Sequence, residues 1–315
     1  MEKTAAIIGA GLIGRAWAMV FARAGWRARV YDSVPAQLDA ARAFIATSLK
    51  EQAGHGLVDD PVAALSRIAY VPNLADTVSD AAWVQENLPE TLEQKRAIFA
   101  ALDRYAPPAA GIASSTSAIP ASRFTEGLAG RARCLVVHPV NPPHLVPIVE
   151  LCGAPWTAPA TIDRALAVYT EVGQVPIVVR RELEGFILNR LQGALLSEAM
   201  RLVGEGYVSP EDLDKTVRDG LGLRWSFMGP LATIELNAPG GVADYCARYG
   251  EVYRRLAAAP PAPDVWDGDN AARVAAALGP PAGAAVVERR MRWRDRRLMA
   301  LVAHKRLQPD PEAKE

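Results

Sequence analysis

The chain has 315 residues, half of them apolar and 22% charged, so it can bury a sizeable core and is long enough for two domains. Lys plus Arg number 35 and Asp plus Glu number 35. A neutral chain is poorly suited to binding nucleic acid by phosphate neutralisation or to holding an anionic membrane. No apolar run approaches the roughly 20 residues that span a bilayer, and Met1 to Thr4 carries no signal-peptide pattern, so a cytoplasmic location is expected. Cys134, Cys152 and Cys246 form no Cys-x-x-Cys pair. Each lies in an apolar stretch, where a small buried thiol is expected rather than a metal site or a disulfide framework.

Taken in chain order, strand and helix patterns alternate over roughly the first 180 residues, as in a parallel sheet covered on both faces. Thr4 to Ile8 predicts a strand ending at a glycine-rich turn, and Ile13 to Ala24 a helix with Gly25 at a left-handed cap. Ala28 to Tyr31 predicts a second strand closed by Asp32, followed by a helix from Pro35 to Ala53. Ala82 to Gln85 reads as a strand, and Thr91 to Tyr105 as a helix stopped by Pro107 and Pro108. Cys134 to Val137 and Ile148 to Leu151 are apolar runs flanking a proline-dense loop. Thr161 to Val172 predicts a helix capped by Gly173, and Val175 to Val179 a last strand.

After Glu182, β-branched runs thin out and helical spacing takes over. Gly185 to Val203 predicts a long amphipathic helix, Ser209-Pro210-Glu211-Asp212 a capped helix start, and Pro260-Pro261-Ala262-Pro263 a stiff connector. Ala284 to Arg306 predicts a final, arginine-dense helix. Its charge suits a nucleic-acid arm, but the neutral chain and Met291, Trp293, Leu298 and Leu301 favour a solvated or subunit-facing helix. The fold class expected is α/β: a Rossmann-type doubly wound, mainly parallel sheet over residues 1–182, then an all-helical domain over residues 183–315.

Gly9-Ala10-Gly11-Leu12-Ile13-Gly14 fits Gly-x-Gly-x-x-Gly in its required place between strand and helix. Gly9 permits the tight turn, Gly11 lets a pyrophosphate approach the backbone, and Gly14 allows close helix–strand packing. Asp32 ends the second strand, where a carboxylate accepts hydrogen bonds from ribose hydroxyls and repels a 2′-phosphate. Ser33 and Val34 follow, with no arginine to receive that phosphate, so NAD is favoured over NADP.

Of the four histidines, His55 and His304 sit in polar surroundings, and His144 is the rival to His138 in the same loop. His138 follows Leu135-Val136-Val137, at a strand end where doubly wound sheets place ligand chemistry. Glu150 lies beyond Pro139-Val140-Asn141-Pro142-Pro143. If the two flanking runs come together, its carboxylate can fix one imidazole nitrogen and leave the other as a base. From spacing alone, a satisfied structural histidine fits equally well.

The run His138-Pro139-Val140-Asn141-Pro142-Pro143 with Glu150, then Gly185-Phe186-Ile187-Leu188-Asn189-Arg190-Leu191, resembles the 3-hydroxyacyl-CoA dehydrogenase superfamily. Within it, Val208 to Asp214, Asp219-Gly220-Leu221-Gly222-Leu223-Arg224 and Trp293-Arg294-Asp295 are similar to the lambda-crystallin / L-gulonate 3-dehydrogenase branch. The resemblance implies His138 as acid/base with Glu150 as its partner, and Ser117 and Asn189 as hydrogen-bonding groups for the reacting oxygen. It implies Asn141 beside nicotinamide and substrate, and adds Leu12, Ile13, Glu90 and Lys95 to the cofactor site with Gly9, Gly11, Gly14 and Asp32. Read from residues alone, Lys95 is a solvated helix residue.

The resemblance also implies a free acid as substrate, because enzymes acting on CoA thioesters lack the Gly-Leu-Arg insertion before Met228-Gly229-Pro230. Arginine's planar fork suits a carboxylate, so Arg224 is expected to hold it; the rival reading is a salt bridge to a nearby acid. Trp225 stands where the gulonate branch carries tyrosine. The stretch is also similar to bacterial L-carnitine dehydrogenases, so the ring could face a quaternary ammonium or simply pack. The expected activity is NAD-dependent oxidation of the 3-hydroxyl of a small hydroxy acid, in a homodimer formed through the helical domain. The alternatives are a 3-hydroxybutyryl-CoA or 3-hydroxyacyl-CoA dehydrogenase, an L-carnitine dehydrogenase, and a non-enzymatic crystallin-like or NAD-sensing protein. No metal, nucleic acid or membrane partner is expected.

Overall fold

Every residue of Thr4–Ile8 (β1) is buried, because both faces of the sheet it centres are covered. Ala5 and Ile7 face one apolar cluster while Ala6 and Ile8 face a second, the period-two alternation of a strand between two helical layers. In this computed structural model, residues 3–308 are described. The other strands are Arg27–Tyr31 (β2), Ile68–Tyr70 (β3), Trp83–Glu86 (β4), Gly111–Ser114 (β5), Cys134–Pro139 (β6), Ile148–Gly153 (β7) and Val175–Val179 (β8). They form one sheet in the order β3-β2-β1-β4-β5-β6-β7-β8. All neighbouring pairs are parallel except β6 and β7. The doubly wound, mainly parallel sheet expected from the sequence is therefore present.

The predicted helices form within a few residues of expectation: Leu12–Arg23 (α1), Pro35–Gly54 (α2), Leu92–Tyr105 and Pro159–Glu171. Thr91 caps Leu92–Tyr105 through Gln94, and Gly25 has φ +89° where the left-handed cap was expected. β3 and β5 were not predicted. β3 has three residues, and Gly-Ile-Ala-Ser in β5 has too few apolar positions to show a period. Gly111 starts β5 because a Cβ there would run into the Trp83 ring on the neighbouring strand.

The chain divides into two compact units, one running to Asn189 and resumed from Arg290, the other Arg190–Arg289. This differs from a single boundary near 182. The far half of the terminal helix Ala284–Arg306 returns to the first unit, where Met299 packs against Leu57 and Leu145. Long-range apolar contacts of that kind leave no mark on local spacing. The second unit is helical, including Pro210–Lys215, whose cap Ser209 accepts from the Asp212 amide, and a π-helical stretch, Thr216–Leu221. Among the described residues, no helix is long and apolar enough to cross a membrane. Cys134 and Cys152 are buried as expected, but Cys246 is exposed on the helix Gly241–Ala257, none of whose residues is buried.

Candidate active site

The glycine turn ends β1 and opens α1. Gly9 has φ +94°, and a Cβ on Gly14 would collide with the Gly9 carbonyl oxygen, so close helix–strand packing needs glycine at both positions. Around Gly11 there is open space within 4 Å, as a pyrophosphate approaching the backbone requires. Asp32 follows β2 and accepts from the Ala10 amide (2.8 Å) and the Val34 amide (2.9 Å). The acid is thus fixed against the turn with carboxylate lone pairs left for ribose hydroxyls. Leu12 and Ile13 open the helix, Leu12 being half exposed beside this space. These residues fit an NAD dinucleotide.

The antiparallel pairing of β6 and β7 sets His138 directly opposite Glu150. His138 Nδ1 lies 2.7 Å from Glu150 Oε2, and His138 is only 5% exposed. An ionised carboxylate only accepts, so Nδ1 carries the proton, and in the neutral imidazole Nε2 then keeps its lone pair. The other oxygen, Glu150 Oε1, accepts from the Ile187 amide (2.8 Å) and the Leu188 amide (3.0 Å). Burial raises the Glu150 pKa, but the hydrogen bonds from His138 and from the Leu188 and Ile187 amides outweigh it, and the group lies below its ordinary value.

Those two amides open the helix Leu188–Gly204, which starts three residues later than Gly185 because Gly185 (φ +76°) and Phe186 (φ +48°) are left-handed. A phenylalanine in that region costs about 1–3 kcal/mol. Two hydrogen bonds to a charged group contribute about 1.5–3 kcal/mol each, so the bent entry is offset where it aims amides at Glu150. The Phe186 ring is buried and lies 5.5 Å from the imidazole, centroid to centroid. Phe186 was not singled out in the sequence, since nothing local marks a phenylalanine as left-handed.

The same entry carries Asn189, whose Nδ2 donates to the Ser117 carbonyl (2.9 Å). Ser117 Oγ donates to Glu90 Oε2 (2.5 Å), while Glu90 Oε1 accepts from Thr116 Oγ1 and from the Ser117 and Ala118 amides. Burial raises the Glu90 pKa, but these bonds carry it below the ordinary value. One segment, 187–189, therefore touches both the His138–Glu150 pair and the Ser117–Glu90 pair. Asn141 is exposed on the loop after β6.

Lys95 departs from the solvated position read from the residues alone. It is 1% exposed, so it is no solvated residue. Its Nζ donates to Glu86 Oε1 (2.7 Å), Glu86 Oε2 (2.9 Å) and the Leu88 carbonyl (2.9 Å). Glu86 also accepts from the Leu88 amide and Ser114 Oγ. Lys95 anchors the turn after β4, whose Asn87 carbonyl lies against Gly9. Glu86 escaped notice because a lysine nine residues away has no local signature.

His144 is buried but takes no part in the pair; it packs edge-on against Phe44. His55 sits at the end of α2 and His304 is exposed. Arg224 lines a cavity of about 410 Å³ within the second unit, with Trp225, Asn237, Tyr245 and Tyr253. Among the described residues it has no carboxylate partner, contrary to the salt-bridge reading; the neutral Tyr245 phenol shares its cavity.

Residues 4–183 match the 3-hydroxyacyl-CoA dehydrogenase NAD binding domain, and residues 185–266 match that family's C-terminal domain. The chain is 45% identical over 310 residues to a lambda-crystallin homolog of Bos taurus, covering 96% of each. It is 36% identical over 266 residues to an L-carnitine dehydrogenase of Pseudomonas sp, covering 84% of this chain and 82% of that one. A solved 5-formyl-3-hydroxy-2-methylpyridine 4-carboxylic acid 5-dehydrogenase, an NAD+ dependent dismutase, superposes with a TM-score of 0.84 at 28% identity, covering 98% of this chain and 100% of that one. Fold, dinucleotide turn and relatives together define an NAD-dependent oxidoreductase acting on CH–OH groups. The chain belongs to the 3-hydroxyacyl-CoA dehydrogenase family.

Proposed function

We propose that the chain oxidises the 3-hydroxyl of a small hydroxy acid with a free carboxylate, of the L-gulonate kind, to the 3-keto acid. The observation that carries this reading is the His138–Glu150 hydrogen bond, which leaves Nε2 as the proton acceptor. NAD, when bound, supplies the chemistry by accepting the hydride from C3. His138 Nε2 takes the hydroxyl proton, and Glu150 stabilises the imidazolium that results. Ser117 and Asn189 orient the reacting oxygen, and Asn141 borders the same site. Gly9, Gly11, Leu12, Ile13, Gly14 and Asp32 hold the dinucleotide, with Glu90 near its reactive end. Lys95 serves this site by fixing the turn after β4.

Arg224 is proposed to hold the carboxylate, supported by its lack of an anionic partner in a largely apolar cavity. Arg224→Met removes a charged hydrogen-bonding partner, so kcat/KM for free acids should fall by about 1.5–3 kcal/mol, roughly 10- to 150-fold, with no loss for thioesters. Equal losses on both would assign Arg224 a structural role. A panel of L-gulonate, L-3-hydroxybutyrate, L-carnitine and 3-hydroxybutyryl-CoA with NAD, followed by NADH absorbance, tests the whole reading. Turnover of the free acids and not the thioester is expected, and a preferred thioester overturns it. L-carnitine is the second reading, favoured by Trp225, Tyr245 and Tyr253 around the cavity, since aromatic faces attract a quaternary ammonium.

A homodimer through the second unit is also proposed. Leu191, Phe227, Leu231, Leu236 and Leu256 are more than three-fifths exposed there, an apolar surface that a second copy would cover. Light scattering after size exclusion should give twice the chain mass, and Leu231→Glu with Leu236→Glu should shift it to monomer. A monomeric wild-type protein overturns the proposal.

A further inference from the structure

The terminal helix Ala284–Arg306 has one buried side chain, Met299, and it is spent on the loop that follows His138. Residues 139–147 have no helix or strand beyond Pro139, yet Pro142 to Leu145 are buried. Their own backbone supplies two bonds, from the Leu145 and Val146 amides to the Pro142 carbonyl. The rest of the support comes from outside. Leu145 packs on Leu57 and Met299, with Leu298, Val302 and Ala303 around them. Arg23 of α1 donates to the His144 carbonyl (2.7 Å). The Phe44 ring stands edge-on to His144 and is covered by the Arg15 guanidinium at 3.7 Å. Arg306 fixes the helix end by donating to the Leu57 carbonyl.

The packing of this region is aromatic rather than ionic at its centre. Burial and the guanidinium groups of Arg23, Arg15 and Arg294 hold the His144 pKa down at about 3, so the ring stays neutral. Arg15 directly follows Gly14, so the assembly ties the helix that opens at the dinucleotide turn to the loop that carries Asn141. The Trp293-Arg294-Asp295 run, which the reaction itself does not use, lies on the helix that joins them.

We propose that the terminal helix is a brace for the loop 139–147, with Met299 as a positioning residue that acts on His138 and Asn141 through Leu145. This rests on the reading of His138 as the base. A loop displaced by even an ångström is enough to misalign a reacting group, whereas the dinucleotide turn is held independently by Gly9, Gly14 and Asp32.

The test compares Met299→Ala and Met299→Leu with the wild type, using His138→Asn as reference. Two quantities are read: L-gulonate oxidation by NAD, and hydrogen–deuterium exchange of peptides covering the loop. Met299→Ala should speed exchange in the loop but not in β1 or β4, and should lower kcat by about tenfold or more with the KM for NAD little changed. Met299→Leu should restore both, and His138→Asn should lose turnover with a normal loop. The brace is overturned if loop exchange is unchanged, if it rises equally across the sheet, or if a mobile loop leaves kcat at the wild-type value. If the wild type does not oxidise L-gulonate, the substrate reading fails and loop exchange alone decides the brace. If His138→Asn keeps turnover, the base is misassigned whatever Met299 does.

Discussion

His138→Asn should lower turnover by about 10²–10⁴-fold while NADH binding stays essentially unchanged. The imidazole is the one group at the end of β6 whose free nitrogen can accept a proton, and the smaller asparagine can still donate to Glu150 but lacks that lone pair. Nothing in the dinucleotide turn depends on it, so fluorescence titration with NADH should give the wild-type affinity. Near-normal turnover would remove His138 from the reaction. Glu150→Gln is the companion variant: it leaves the three donors in place and takes away the charge that stabilises imidazolium. In the wild type, Glu150 titrates below its ordinary value. Its contribution to stability is therefore present above the unfolded-state pKa and is lost as pH falls through the lowered folded value. Glu150→Gln should flatten stability across that acidic window, as read by denaturation at a series of pH values.

The second large effect is expected at Lys95. Lys95→Met leaves the Glu86 carboxylate, 0% exposed, with only the Leu88 amide and Ser114 hydroxyl as partners. Breaking a buried pair from one side costs about 3–5 kcal/mol, far more than the ~0–1 kcal/mol of a surface pair. Urea denaturation should show this loss, and Glu86→Gln combined with Lys95→Met should recover most of it, because neither charge is then stranded. A loss below about 1 kcal/mol for Lys95→Met would mean that the pair is not desolvated as the structure has it. A wild-type stability with weakened NADH binding would instead return Lys95 to direct cofactor contact.

Both predictions turn on residues that the chain itself marks unequally. The dinucleotide turn was legible because its requirement is local: Gly9, Gly11 and Gly14 are demanded by backbone within a few residues of one another, and Asp32 ends the very next strand. The helix bounds were legible for the same reason, through Thr91, Gly25 and Ser209. His138 and Glu150 could be nominated from the strand runs that hold them. Lys95 was misread because an exposed helix position and a buried one differ only in what lies opposite. Phe186 was missed because its backbone is set by Glu150, thirty-six residues earlier in the chain.

By itself, then, the sequence determined the alternation of strands and helices, the nucleotide turn and its preference for NAD, and the set of side chains able to do acid–base work. Only the tertiary structure decided that β6 and β7 run antiparallel with His138 facing Glu150, that Glu86 pairs with Lys95, and that Met299 of the terminal helix packs on the loop after His138. The division follows from the range of the forces. Backbone sterics and capping act within one turn or strand, while burial and pairing of charge depend on which distant segments displace water from each other.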